Sequence, residues 1–436
     1  MTGPGPHSRL WRLSIPIILS NLTVPLLGAV DTAVVGHLPA AYYMGGVALG
    51  AQTFNFVFWG FGFLRMGTSG FTAQAVGAGD ESEIRLILTR ALIVAAGLGI
   101  AIVLLRHQVL WAALQFLGGS AEVQQAASDY VLIRIWAAPA ALGNYVVLGW
   151  LLGRQRTGVA LALQVLINGI NAALAVLFVQ GFGWNAAGAA GATAIADVVG
   201  LVAGLAVGWR FLRPSEGRYR LALIFDGPAM RRLIAVNRDI FLRTLCLVFA
   251  FAFFARQGAE MGDTVLAANA VLLYFQTLMA FGLDGLAHAT EALVGTSIGA
   301  RDRTGFWISV RVSLLWSFVM ASFFSLAYFL AGDLLIAALS GIPDVRSTAA
   351  LYLPWAAISP VISVWSYLLD GIFIGATRTR ELRNSMVLAV MAFLAALFLL
   401  RGPFGNHGLW MALLVLMAAR GIFLAAFLPR LSRGLA

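Results

Sequence analysis

Asp284, His288 and Glu291 stand at i, i+4 and i+7 within one apolar run, so a helix places carboxyl, imidazole and carboxyl on a single stripe. Groups of these types at that spacing can hand a proton from one to the next. Gln164, Asn168 and Asn171 repeat the spacing as an amide stripe, and Thr193 and Asp197 share a face of the following run. Such an amide stripe can line a substrate path or hold helices together by hydrogen bonds. Asp31 is a lone carboxylate in the first apolar run, next to Gly28 and preceded by Pro16 and Pro25. Each proline removes a backbone donor and favours a bend, so this run can be a movable element or simply a kinked one. Asp370 lies in another apolar run, as do Arg65, Arg134, Arg238, Asp239 and Arg243. Each such charge asks for a reason, because placing one at a bilayer centre costs about 2.5–3.5 kcal/mol on insertion scales. The same side chains also serve as helix-to-helix glue, at about 0.6 kcal/mol per hydrogen bond.

The elements that must position these groups are long. Hydrophobic residues make up 60% of the chain and charged residues 11%, against about 25% charged in a soluble domain. Soluble packing cannot hide so much apolar surface, so the surplus must face lipid. Windows of about 19 residues place helices near 13–36, 45–72, 86–105, 126–152, 159–180 and 187–210. A second set falls near 236–257, 264–294, 306–330, 349–375, 383–400 and 407–428. Runs of this length satisfy their backbone internally only as helices. The expectation is an all-α membrane protein of twelve transmembrane helices.

All 29 basic residues are arginines, and the net charge is +10. They cluster in alternate connections, a bias of about five to one that places both termini in the cytoplasm under the positive-inside rule. This distribution argues against a nucleic-acid surface. The single cysteine, Cys246, excludes an internal disulfide. No HExxH, Walker loop or Cys/His metal spacing occurs, so the sequence gives no sign of an enzyme, an ATP-driven pump, a bound metal or a cofactor. An intramembrane enzyme would have only the Asp284–His288–Glu291 stripe to work with.

The halves repeat. AVGAGD at 75–80 returns as SIGARD at 297–302, and LLGRQR at 151–156 as FIGATR at 373–378, an offset of about 222 residues that Tyr130 and Tyr352 also keep. The reading is a parallel repeat of two six-helix bundles: an N-terminal lobe at 1–211, a basic linker at 212–233 and a C-terminal lobe at 234–436. Transporters place their substrate path between such repeats.

LSIPIILSNLTVPLLGAVDTAVVGHL at 13–38 resembles the first helix of multidrug and toxic compound extrusion (MATE) transporters, in the DinF-like branch. FLRMGTSGFTAQAVGAGD at 63–80, LGWLLGRQRTG at 148–158, NRDIFLRTLCL at 237–247 and LDGIFIGATRTRELRNSM at 369–386 extend the resemblance through both halves. It implies two lobes in a V and an antiporter in the bacterial inner membrane. It also implies export of amphipathic, often cationic, organic compounds in exchange for protons or sodium ions, with a monomer expected. Carried over by motif, Asp31 takes the place of the family's first-helix aspartate and Pro16 that of its bending proline. Asn144, Asn171 and Thr193 match the polar residues around that aspartate, and Asp197 lies on the same helix as Thr193. Ala175 departs: the branch often has an aspartate there, so a sodium site would be short of ligands and proton coupling through Asp31 leads. The runner-up within transport is a lipid or lipid-linked precursor flippase.

The arginine bias carries a topology. Single cysteines introduced at residues 37–44 and at 181–187 should react with an impermeant maleimide in intact cells; labelling only after permeabilisation would reverse the orientation.

Overall fold

The computed structural model describes residues 5–36, 38, 40–212 and 221–433. His37, in the connection expected at 37–44, and 213–220 of the basic linker lie outside the described residues. Among those described there is no strand. The long helices are α1 (Pro6–Val35), α2 (Tyr42–Ala78), α3 (Glu81–Leu104), α4 (Ala121–Gly153), α5 (Thr157–Gly181) and α6 (Asn185–Leu212). They continue as α7 (Gly227–Ala259), α8 (Asp263–Gly299), α9 (Arg303–Leu339), α10 (Pro343–Gly375), α11 (Thr379–Phe404) and α12 (Asn406–Leu431). Ten are by length and composition able to cross a membrane, and α1 and α7 complete the twelve. The apolar runs expected from the sequence are therefore the helices observed.

The chain forms two compact units. One takes Leu19–Ile234; the other takes Ala235 onward together with the start of α1, through Ile18. In the first unit, buried Arg90 donates to the carbonyls of Ile224 (3.2 Å) and Leu223 (2.6 Å), and Arg85 to that of Leu212 (3.1 Å). These bonds hold the described part of the connection against α3. In the second unit, Trp11 of α1 meets Trp316 edge to face, 5.1 Å between ring centres. Pro16 lies in this stretch and has no N–H to give the helix.

The repeat is visible within each unit as the same local chemistry. After α2, Gly79 turns left-handed (φ +68°), Asp80 N–H reaches the Ala75 carbonyl, and the Asp80 carboxylate caps Glu83 N–H at 2.8 Å. After α8, Arg301 turns left-handed (φ +54°), Asp302 N–H reaches Ser297, and Asp302 caps Gly305 N–H at 2.8 Å. Both are helix stops that satisfy orphan carbonyls, followed at once by an N-cap. Gln155 and Thr377 end α4 and α10 in the same left-handed way (φ 59° and 51°).

Close backbone approach repeats too. Gly149 and Gly153 of α4 face the backbone carbonyls of Arg65 and Ser69 on α2, and Gly371 and Gly375 of α10 face those of Ala287 and Glu291 on α8. A Cβ at any of the four would overlap the facing carbonyl, which is why small residues four apart suit helix contacts in lipid. The pairing makes Ser69 and Glu291 equivalent positions of the two units.

Gly149→Val and Gly371→Val should each cost about 1–3 kcal/mol through overpacking, whereas Gly169→Ala, which meets nothing within 4 Å, should be neutral. Melting temperatures of the purified variants check this; equal melting of all three would remove the proposed importance of the close contacts.

Candidate functional site

In the first unit the amide stripe of α5 divides its work. Gln164 donates to Asn168 Oδ1 (3.0 Å), and Asn168 donates to Thr23 Oγ1 of α1 (2.8 Å). Asn171, one turn on, donates to Thr193 Oγ1 of α6 (3.0 Å), whose own hydroxyl bonds the Ala189 carbonyl (3.1 Å). Asn144 of α4 donates to the backbone carbonyl of Asp197 (2.9 Å). The structure thus joins Asn144 to α6 at Asp197, and Asn171 to α6 at Thr193. The side chain of Asp31, near the end of α1, lies outside the described residues.

These bonds use the donors and leave acceptors over. Asn144 Oδ1 and Asn171 Oδ1 are buried without a hydrogen-bond partner. A buried acceptor without a donor is costly by about 1–3 kcal/mol, so each such group asks for an explanation. Ala175, at the end of the same stripe, is buried and brings no oxygen. Around this set, Arg134 donates to Tyr130 Oη (2.9 Å) and rests 4.6 Å from the centre of the Phe54 ring. Tyr145, next to Asn144, lies within electrostatic range of Arg65, Arg134 and Asp197.

In the second unit, Asp370 of α10 is a salt-bridge centre. Its Oδ2 accepts from Arg243 of α7 and from Arg420 of α12, the latter at 2.7 Å. Arg420 also lies 5.9 Å from the Tyr367 ring centre and donates to Met417 Sδ at 3.2 Å. One carboxylate therefore ties three helices together. The sequence reading named Asp370 and Arg243 but passed over Arg420, an isolated arginine in the last apolar run that a count of every intramembrane charge would have found. Asp239, nearer the start of α7, accepts from Arg383 at 2.8 Å and Arg238 at 3.2 Å.

The helix-8 stripe is partly joined. His288 Nδ1 and Glu291 Oε2 lie 3.1 Å apart, both buried. Asp284 stands one turn earlier and is half-buried. Among the described residues no three His, Cys, Asp or Glu side chains converge in a way that could hold a metal ion.

The MatE family profile matches this sequence twice, at residues 16–177 and 240–400, once in each half. The chain is 44% identical to the DNA damage-inducible protein F of Escherichia coli (strain K12), over 97% of this chain and 92% of that protein. It is 28% identical to the "Probable multidrug resistance protein NorM" of Rhizobium meliloti (strain 1021), over 94% and 91%. Among solved structures, a MOP superfamily transporter from Pyrococcus furiosus superposes with a TM-score of 0.87 at 19% identity, covering 98% of this chain and 96% of that one. At that identity the superposition speaks for the fold.

The Asp370 clasp has a measurable consequence. Asp370→Asn would leave two buried guanidinium groups without their counter-charge, a loss of about 3–5 kcal/mol for a broken buried pair. A strongly lowered melting temperature is expected, with Asp370→Glu losing less; unchanged melting of Asp370→Asn would show that the clasp is not structural.

Proposed function

Because the chain belongs to the MatE family, the multidrug and toxic compound extrusion transporters, we propose that it is a secondary active antiporter exporting amphipathic, cationic organic compounds in exchange for protons. The observation that carries this reading is the pair of buried amide oxygens, Asn144 Oδ1 and Asn171 Oδ1, that lack donors. A protonated carboxyl can donate to such an oxygen and a carboxylate cannot. The set therefore favours one protonation state of a neighbouring acid over the other. Asp31 is the acid that the family resemblance assigns to these residues, with Thr193 and Asp197 beside them.

In this reading Asp31 takes a proton from the outer side and turns from acceptor to donor. Its choice of partners changes with it, and that difference in contacts biases α1 between two forms about Pro16. Loss of the proton to the inner side restores the other form. Exchange of one proton for one monovalent cation moves no net charge, so the pH difference drives it, at about 1.4 kcal/mol, or tenfold of substrate gradient, per pH unit. Sodium fits less well, because Asn144, Asn171 and Thr193 are neutral ligands and Ala175 supplies none. The reading includes an inner-membrane location with both termini cytoplasmic, a monomer as the working unit, and lobes at 1–211 and 234–436 joined by the linker.

Asp31→Asn should abolish ethidium transport driven by an imposed pH gradient in proteoliposomes, while circular dichroism and melting stay as in the wild type. Asp31→Glu should retain part of the rate, since the longer acid still titrates. Wild-type transport by Asp31→Asn under the same gradient would remove Asp31 as the coupling residue.

A further inference from the structure

The reading above uses one acid in the first unit and leaves Glu291 in the second without a task. Glu291 is 0% exposed, and its Oε1 is buried with no hydrogen-bond partner. Its other oxygen meets His288 Nδ1 on the preceding turn of the same helix. The bond therefore joins no two helices, so Glu291 does not act as interhelical glue, unlike Asn168, Asn171 or Asp370. Among the described residues no arginine forms an ion pair with it: Arg243 and Arg420, the guanidinium groups of this interior, both pair with Asp370.

A carboxylate in that position beside a neutral imidazole would be a buried charge with a single donor, the arrangement that costs most. One added proton removes the net charge, whether it sits on the imidazole or on the carboxyl. At 3.1 Å the nitrogen and oxygen lie within hydrogen-bond distance, with either the imidazole or the protonated carboxyl able to donate. The frame around it is tight, since the Glu291 carbonyl lies against Gly375 of α10. The equivalent position in the first unit, Ser69, holds a hydroxyl, which neither gains nor loses a proton at any ordinary pH. The acid is thus particular to the second unit.

The surroundings of the pair decide what else could titrate with it. On α8 itself the next ionisable group is Asp284. On α10, packed against α8, are Tyr367 and Asp370, the latter held by Arg243 and Arg420. On α9, also packed against α8, Tyr328 is bonded to the Phe275 carbonyl (2.7 Å), while Arg303, Arg311 and Asp333 are exposed. The start of α1 brings His7, Arg9 and Arg12, all exposed. None of these is an arginine or carboxylate bonded to Glu291.

We propose that His288 and Glu291 form a second proton-carrying site, so that each cycle of export exchanges a proton in the second unit as well as in the first. The proposal rests on the proton-exchange reading above and adds to it the number of protons and the residues that hold the second. Substrate cation entering releases that proton to bulk water, and the pair regains one from the opposite side; no other co-reactant is needed.

The test counts protons. Ethidium is added to purified protein in weakly buffered detergent, and released protons are read with a pH-sensitive dye against ethidium bound. Wild type should release roughly two protons per ethidium, with Glu291→Gln and Asp31→Asn each releasing about one fewer. Wild-type release from Glu291→Gln, with Asp31→Asn lowered, overturns the second site and leaves the first. Lowered release from Glu291→Gln alone supports the second site and removes Asp31; release unchanged in both, or none from wild type, overturns both. A second measurement needs no substrate and no stable Gln variant. The acid-minus-alkaline infrared difference spectrum of the wild type should contain a protonated-carboxyl band that shifts in His288→Asn, and an identical band in that variant overturns the proposal.

Discussion

Hydrocarbon offers no hydrogen bonds, and most of the polar architecture of this protein follows from that one constraint. Many of the groups that cannot reach water have a protein partner. Trp150 donates to the Ile84 carbonyl (3.1 Å), and Asn269, Asn406 and Trp410 close a buried network with bonds of 2.8–2.9 Å. Asp370 is answered by two arginines. Asn144 Oδ1, Asn171 Oδ1 and Glu291 Oε1 belong to a smaller set of buried polar atoms, both side-chain atoms of Asn237 among them, that have no hydrogen-bond partner.

The two units share a frame and differ in what it carries. Helix stops, N-caps and close glycine contacts recur at equivalent positions, as does the tyrosine at Tyr145 and Tyr367. The polar sets do not recur. Asn144 has Ser366 as its counterpart, Ser69 has Glu291, and Arg243 and Arg420 answer Asn21 and Val198. The shared geometry carries an amide-rich polar set in one half and an ion-pair centre with a buried acid in the other.

Much of this could be read from the chain because membrane helices announce themselves by length and apolarity. The runs, the alternating arginines and the recurrence of AVGAGD as SIGARD each follow from local composition. Side-chain partners were less legible. Asp370 and Arg420 are joined across 50 residues, and Asp370 and Arg243 across 127, so spacing along one helix does not pair them. The stripe Gln164–Asn168–Asn171 was visible as a stripe, yet not that Asn168 reaches α1 while Asn171 reaches α6. Left-handed Arg301 and Thr377 were hidden as well. Their side chains do not favour that conformation, and only the glycine at the equivalent Gly79 hints at it.

Coupling to protons is the central claim, and the choice of ion tests it most directly. Wild-type protein in liposomes, loaded with ethidium, is given either a pH gradient with sodium equal on both sides or a sodium gradient with pH equal. The account predicts that the pH gradient alone drives ethidium movement and that an uncoupler stops it. Movement driven by sodium alone and indifferent to the uncoupler would contradict it.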